Sequence, residues 1–121
     1  MEVLEVIKNR FSPYEFTNKA ISEEDLKTLF EAAGKAASAF NEQPWRFIYS
    51  LKEDIENFNR IHDCLAEGNK GWTKDVAALV ITVVKTKFSK NGKANRVAEH
   101  DLGLAMGNFS VQALSSDIYI H

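Results

Sequence analysis

The stretch Val76-Ala77-Ala78-Leu79-Val80-Ile81-Thr82-Val83-Val84 admits few folds. It is β-branched and apolar on both parities, so as a strand it needs cover on both faces, the position of a central strand. Trp45-Arg46-Phe47-Ile48-Tyr49-Ser50 alternates aromatic residues like a second strand. Ser22 with Asp25 three residues on is a helix-start signal, and Leu26, Leu29, Phe30, Ala33 and Ala37 follow at helical spacing, predicting a helix over about 23–37. Residues 2–10 predict a short helix with Val3, Val6 and Ile7 on one face, and Pro13 then leaves 11–20 as loop. Ile55, Phe58, Ile61, His62 and Leu65 predict a second amphipathic helix over 53–67, ended by Gly68-Asn69 with a turn at 68–71.

The residues from Arg96 onward make the heaviest demand for cover. Leu102, Leu104, Ala105, Met106, Phe109, Val111, Ala113 and Leu114 place apolar groups almost all round one long helix, which is therefore expected to be buried. A chain of 121 residues covers so much surface with difficulty, so a partner subunit or further residues are expected over part of it. Asp117 to His121 then begins a strand and stops, which reads as a truncated chain. Between the two, Lys85 to Asn95 is a charged excursion containing a glycine.

Several function classes lack their machinery. The length supports one domain over 1–121, and 45% hydrophobic with 26% charged residues suits an ordinary globular protein. A formal charge of -2 gives no overall basic surface, so nucleic acid is not an expected partner. Cys64 is the only cysteine, which excludes an internal disulfide and suits a reducing, cytoplasmic setting. No apolar run approaches the roughly 20 residues of a bilayer span, so no membrane association is expected. His62, His100, His121 and Cys64 show no zinc-site spacing, and there is no dinucleotide fingerprint, phosphate loop or nucleophile elbow. Glu23-Glu24 reads as a solvated first helical turn.

What remains suits a flat, anionic cofactor. Arg10, Phe11 and Ser12 combine an arginine fork and a hydroxyl, which together can hold phosphate; the alternative is an exposed arginine in a loop. Ser38, Asn41 and Gln43 offer donors and acceptors beside Phe40 and Trp45, or form a polar connector. Asn69, Trp72 and Lys74 bring an amide, a ring and a cation into one region, alternatively a helix cap with surface charge. Asp101, Gly103 and Asn108 are polar or small positions in the buried helix, where structural roles are expected.

Three stretches carry a family resemblance: Arg10-Phe11-Ser12-Pro13-Tyr14-Glu15-Phe16, Ser38-Ala39-Phe40-Asn41-Glu42-Gln43-Pro44-Trp45-Arg46-Phe47, and Asp101-x-Gly103-x-Ala105-x-x-Asn108. In order and spacing together they resemble the nitroreductase family. The resemblance implies an α+β fold, a central mainly antiparallel sheet wrapped by helices, with a long buried helix at the interface of a homodimer and the family's C-terminal part missing. It implies a flavoprotein in which FMN sits between subunits. Arg10 and Ser12 would hold its phosphate and ribityl end, with Phe11 and Tyr14 beside them. Ser38, Ala39, Phe40, Asn41 and Gln43 would approach flavin from the other subunit, and Asn69 would sit near the isoalloxazine ring. The implied oxidoreductase passes hydride from NAD(P)H to a nitroaromatic, quinone or similar acceptor, with the cofactor supplying the chemistry.

Two departures from the family pattern stand out. Tyr14 takes the place of a second arginine, and Ala37-Ser38-Ala39 replaces the usual Pro-Ser-Ser. The alternative reading is a cofactor-free or catalytically inactive dimeric module of the same fold.

Overall fold

The N-terminal half is organised by one well-started helix. In the computed structural model, which describes all 121 residues, Ser22 and Asp25 form a reciprocal capping box. The Ser22 hydroxyl accepts from the Asp25 amide at 3.0 Å, and the Asp25 carboxylate accepts from the Ser22 amide at 3.1 Å. Helix α2 (Glu23–Gly34) follows and buries Leu26, Leu29 and Ala33. Ser22→Ala removes one half of the box, and is expected to lower the unfolding free energy by about 1 kcal/mol. A urea titration checks this; an unchanged midpoint would mean that the helix start is fixed by packing alone.

A four-residue helix, α1 (Glu5–Lys8), precedes it. This is shorter than the expected 2–10, because Leu4 supplies no side-chain cap and Val3 and Ile7 remain exposed. After α2 come strand β1 (Trp45–Leu51), helix α3 (Ile55–Asp63), helix α4 (Glu67–Thr73), strand β2 (Ala78–Val84) and helix α5 (Ala98–Ser115). β1 and β2 pair antiparallel, with Trp45 opposite Val84 and Leu51 opposite Ala78. Alternation then sorts the faces: Trp45, Phe47, Tyr49 and Leu51, with Ala78 and Val80, meet the core shared by α2 and α5. Phe30 binds the layers, its ring 5.0 Å from Phe47, 5.3 Å from Tyr49 and 5.7 Å from Phe109.

Several expectations change. β2 is not a central strand here, since it pairs only with β1, and Thr82 and Val83 are exposed. α5 is buried along one stripe rather than all round: Ala98, Asp101, Ala105, Phe109 and Ala113 face inward at helical spacing, while Val97 and Leu104 are exposed. Gly68 and Asn69 lie inside α4 rather than ending a helix. The preceding helix stops earlier, where the Cys64 amide closes on the carbonyls of Ile61 and His62, and Ala66 turns extended. The Glu67–Lys70 ion pair then secures the first turn of α4 at 2.6 Å. Residues 117–121 form no strand. Asp117, at φ 57°, donates to the Leu114 carbonyl at 3.0 Å, and Ile118 donates to that of Ala113 at 2.9 Å. That is a Schellman closure, which turns the first two amides of the segment back onto the helix. No helix is long and apolar enough to cross a membrane.

Candidate functional site

The connection between α2 and β1 is the most constrained stretch of backbone in the molecule. Phe40, Asn41 and Gln43 have φ of 52°, 53° and 51°, a left-handed region that costs residues with a Cβ roughly 1–2 kcal/mol each. Gln43 is the more unusual because a following proline ordinarily favours extended backbone. Such a turn persists only where its surroundings over-determine it, and here they do.

Four groups pin it. The Ser38 hydroxyl accepts from the Gln43 amide at 2.9 Å, and the Asn41 carbonyl oxygen accepts from the Gln43 side-chain amide at 3.1 Å. Asp101, on the first turns of α5, accepts from the Ala39 amide at 2.9 Å across 62 residues of sequence. Its side chain is 5% exposed, and that hydrogen bond holds its carboxyl below the ordinary carboxylate range, against the opposing effect of burial. Glu42 accepts from the Ser89 amide at 2.8 Å and from its hydroxyl at 2.6 Å, with Lys85 Nζ 3.5 Å away. Those Ser89 hydrogen bonds lower the Glu42 carboxyl in the same way.

The turn keeps its outer side free. Phe40 is 93% exposed, supported only at one edge by Phe88 with centroids 5.7 Å apart, and Asn41 and Gln43 are also exposed. An aromatic face and two amides held by a rigid base can meet a planar heterocycle bearing donors and acceptors.

Arg10 and Ser12 form a second cluster. Arg10 Nη1 lies 3.4 Å from Ser12 Oγ, both side chains exposed, so guanidinium and hydroxyl converge on one region of solvent. The residues around them are packed by the end of the chain. Phe11 meets Tyr119 at 5.3 Å, Tyr14 meets His121 at 4.6 Å and Trp72 at 5.5 Å, and His121 Nδ1 donates to the Pro13 carbonyl at 3.0 Å. Tyr14 is therefore an aromatic prop in the place of a second arginine. Asn69 is exposed on α4, its amide given to Ala66 and its carbonyl accepting from Thr73 Oγ1. No hydrogen bond joins the 10–14, 38–43 and 69 groups within one chain.

Two contributors do not stand out in the sequence as site residues: Asp101 reads as a structural position in α5, and Glu42 carries no signal of its own. Their partners lie 62 and 47 residues away, and only the buried acid in α5 left a trace in the pattern. A cavity of about 310 Å³ between α3 and the sheet, lined by Ile48, Ile61, Ile81 and Arg60 among others, shares no residue with either cluster.

A profile of the Nitroreductase family matches residues 7–70, more than half of the chain. A protein of Archaeoglobus fulgidus, provisionally named an NADH dehydrogenase/NAD(P)H nitroreductase, is 32% identical over 89 residues, covering 74% of this chain and 49% of its own length. The major NAD(P)H-flavin oxidoreductase of Aliivibrio fischeri is 27% identical, covering 95% of this chain and 58% of its own. Among solved structures, an oxidoreductase containing FMN superposes with a TM-score of 0.88 at 30% identity, over 96% of this chain and 60% of that one. The chain thus spans about half to three-fifths of the length of the proteins it matches.

Proposed function

The chain belongs to the nitroreductase family, and from that membership we propose that it is the flavin-binding part of an FMN-dependent oxidoreductase that uses NAD(P)H as reductant. The observation that carries the reading is the pinned 38–43 turn, which spends backbone strain to hold an exposed phenylalanine and two amides outward. The donor set fits the group. Arg10 and Ser12 suit a phosphate monoester, Phe40 suits the face or edge of a tricyclic ring, and Asn41 and Gln43 suit its imide and carbonyl edge. Bound FMN would supply the hydride chemistry, taking hydride from NAD(P)H and giving it to a nitroaromatic, quinone or similar acceptor.

The protein's part is binding and orientation. Arg10 and Ser12 anchor the phosphate end, Ser38 and Asp101 hold the turn in register, and Tyr14 stiffens the loop that carries Arg10. As the family resemblance implies, the reading includes a homodimer in which each flavin meets the 10–14 group of one subunit and the 38–43 group of the other. The exposed Leu104 on α5 and Val97 at its N-cap suit a subunit contact. Asn69, on an exposed face of α4, is the least constrained member of the set.

The test is a titration with FMN followed by absorbance and fluorescence quenching, on protein of verified mass. Saturable binding with a shifted flavin spectrum is expected. Arg10→Lys keeps the charge but loses the planar fork, and is expected to weaken FMN binding about tenfold. Absence of binding at saturating FMN would sink the reading and leave a cofactor-free module of the same fold.

A further inference from the structure

The excursion between β2 and α5 is a small antiparallel hairpin. Lys87 pairs with Ala94, the Phe88 amide donates to the Lys93 carbonyl at 2.9 Å, and the Asn95 amide donates to that of Thr86 at 2.8 Å. Gly92, at φ 68°, makes the turn. Residues 85–96 hold Lys85, Lys87, Lys90, Lys93 and Arg96, five of the chain's 15 lysines and arginines, and none of its 17 carboxylates. The rest of the chain is thus left with ten cations against 17 carboxylates. The formal charge of -2 is an average over an acidic body and one basic hairpin.

Two observations give that hairpin a direction. Lys87, Lys90, Lys93 and Arg96 are exposed and make no salt bridge; of the ten cations elsewhere, Lys8, Lys27, Lys35, Lys52 and Lys70 each hold a carboxylate, and the five that do not, Arg10, Lys19, Arg46, Arg60 and Lys74, are scattered along the chain. The hairpin is also fastened to the 38–43 turn, by Glu42 receiving two hydrogen bonds from Ser89 and by Phe88 against Phe40. The free positive charge therefore stands beside the surface where the flavin reading puts the isoalloxazine ring.

Resting on that reading, we infer that the 85–96 hairpin recognises the phosphates of the reductant and selects NADPH over NADH through the additional 2′-phosphate. A nicotinamide that reaches the ring carries its adenosine phosphates some distance away, and an adjacent unpaired cluster of ammonium groups attracts them. Glu42 is then a positioning residue: it neutralises Lys85 at the hairpin base and fixes the other four cations relative to Phe40. A polynucleotide fits less well, because five charges on one short hairpin fall below the six to ten phosphate contacts typical of strong backbone binding.

The experiment compares binding of 2′-phospho-ADP-ribose and ADP-ribose by calorimetry, on the flavin-loaded full chain at two salt concentrations. The expected result is a preference of about tenfold for the 2′-phosphorylated ligand that shrinks as salt rises. In the triple variant Lys87→Ser, Lys90→Ser, Lys93→Ser the preference should fall to within about twofold. A variant removing three charges elsewhere, Lys27→Ser, Lys35→Ser, Lys52→Ser, should retain it, which separates a local site from net charge. Flavin absorbance on the same samples reports failure of the FMN reading as missing colour. Equal binding of both ligands by flavin-loaded protein would overturn the inference, as would a preference that survives the hairpin variant. Tighter binding of a single-stranded oligodeoxythymidine than of the phosphorylated ligand would overturn it too, and would assign the hairpin to nucleic acid.

Discussion

Phe109→Ala is expected to lower the unfolding free energy by about 3–5 kcal/mol. Phe109 is 4% exposed and meets the rings of Phe30 and Phe47, so it touches α2 through one neighbour and the sheet through the other. Truncation removes the group that α2, β1 and α5 share, and the flanking Ala105 and Ala113 carry only methyl groups, which can fill little of the space. A domain of this size has a stability of roughly 6–18 kcal/mol at 0.05–0.15 kcal/mol per residue, so the loss is a large fraction of the total. Denaturant unfolding followed by circular dichroism reads it. A cost under about 1 kcal/mol would mean that the α2–α5 contact is loosely packed and that the helices are held by something other than this core.

Asp101→Ala should have the largest effect on the candidate site. It leaves the Ala39 amide without its acceptor in a part-buried setting, at about 1–3 kcal/mol, and releases one end of a turn that already carries three left-handed residues. FMN affinity is expected to drop at least tenfold, since 1.4 kcal/mol of the loss is a factor of ten if the bound form alone needs the turn in place. Acid should reproduce part of this in the unaltered chain. The Asp101 carboxyl is lowered in the folded state by the Ala39 amide and, secondarily, by His100. Its contribution is complete above the ordinary value of 3.8 and is lost as pH falls through the lower folded value. Glu42, lowered by Ser89, titrates on the same side, so the measurement is the difference between unaltered protein and the variant. FMN retention that is equal in the two at neutral pH would remove the 38–43 turn from the flavin site.

Local chemistry was readable from the amino-acid order, and distant chemistry was not. Ser22 and Asp25 announce α2 because a capping box is complete within four residues. The aromatic alternation from Trp45 announces β1 because a pleat shows its faces every second residue. The same local logic misread Gly68, since glycine ends helices often enough to look like a stop, while here it sits in α4 with only open space around it. It misread Asp117 to His121 as well, because Ile118, Tyr119 and Ile120 have strand-like composition but a helix closure claims the amides of Asp117 and Ile118. For the site, Ser38, Asn41 and Gln43 are visible as a polar loop, and the left-handed backbone of Asn41 and Gln43 is not, because φ follows from the contacts to Asp101 and Ser89. Arg10 and Ser12 are close in sequence, and their side chains stay close in space.

The partnership of α2 with α5 sets a timetable for the newborn polypeptide. Leu26 and Leu29 leave the ribosome ahead of their cover, Ala105 and Phe109, which follows about 80 residues later. At roughly 5–20 residues per second, α2 waits about 4–16 s with its buried face bare. Ribosome-associated chaperones should therefore engage this nascent chain early, around α2, and let go only once α5 has been synthesised.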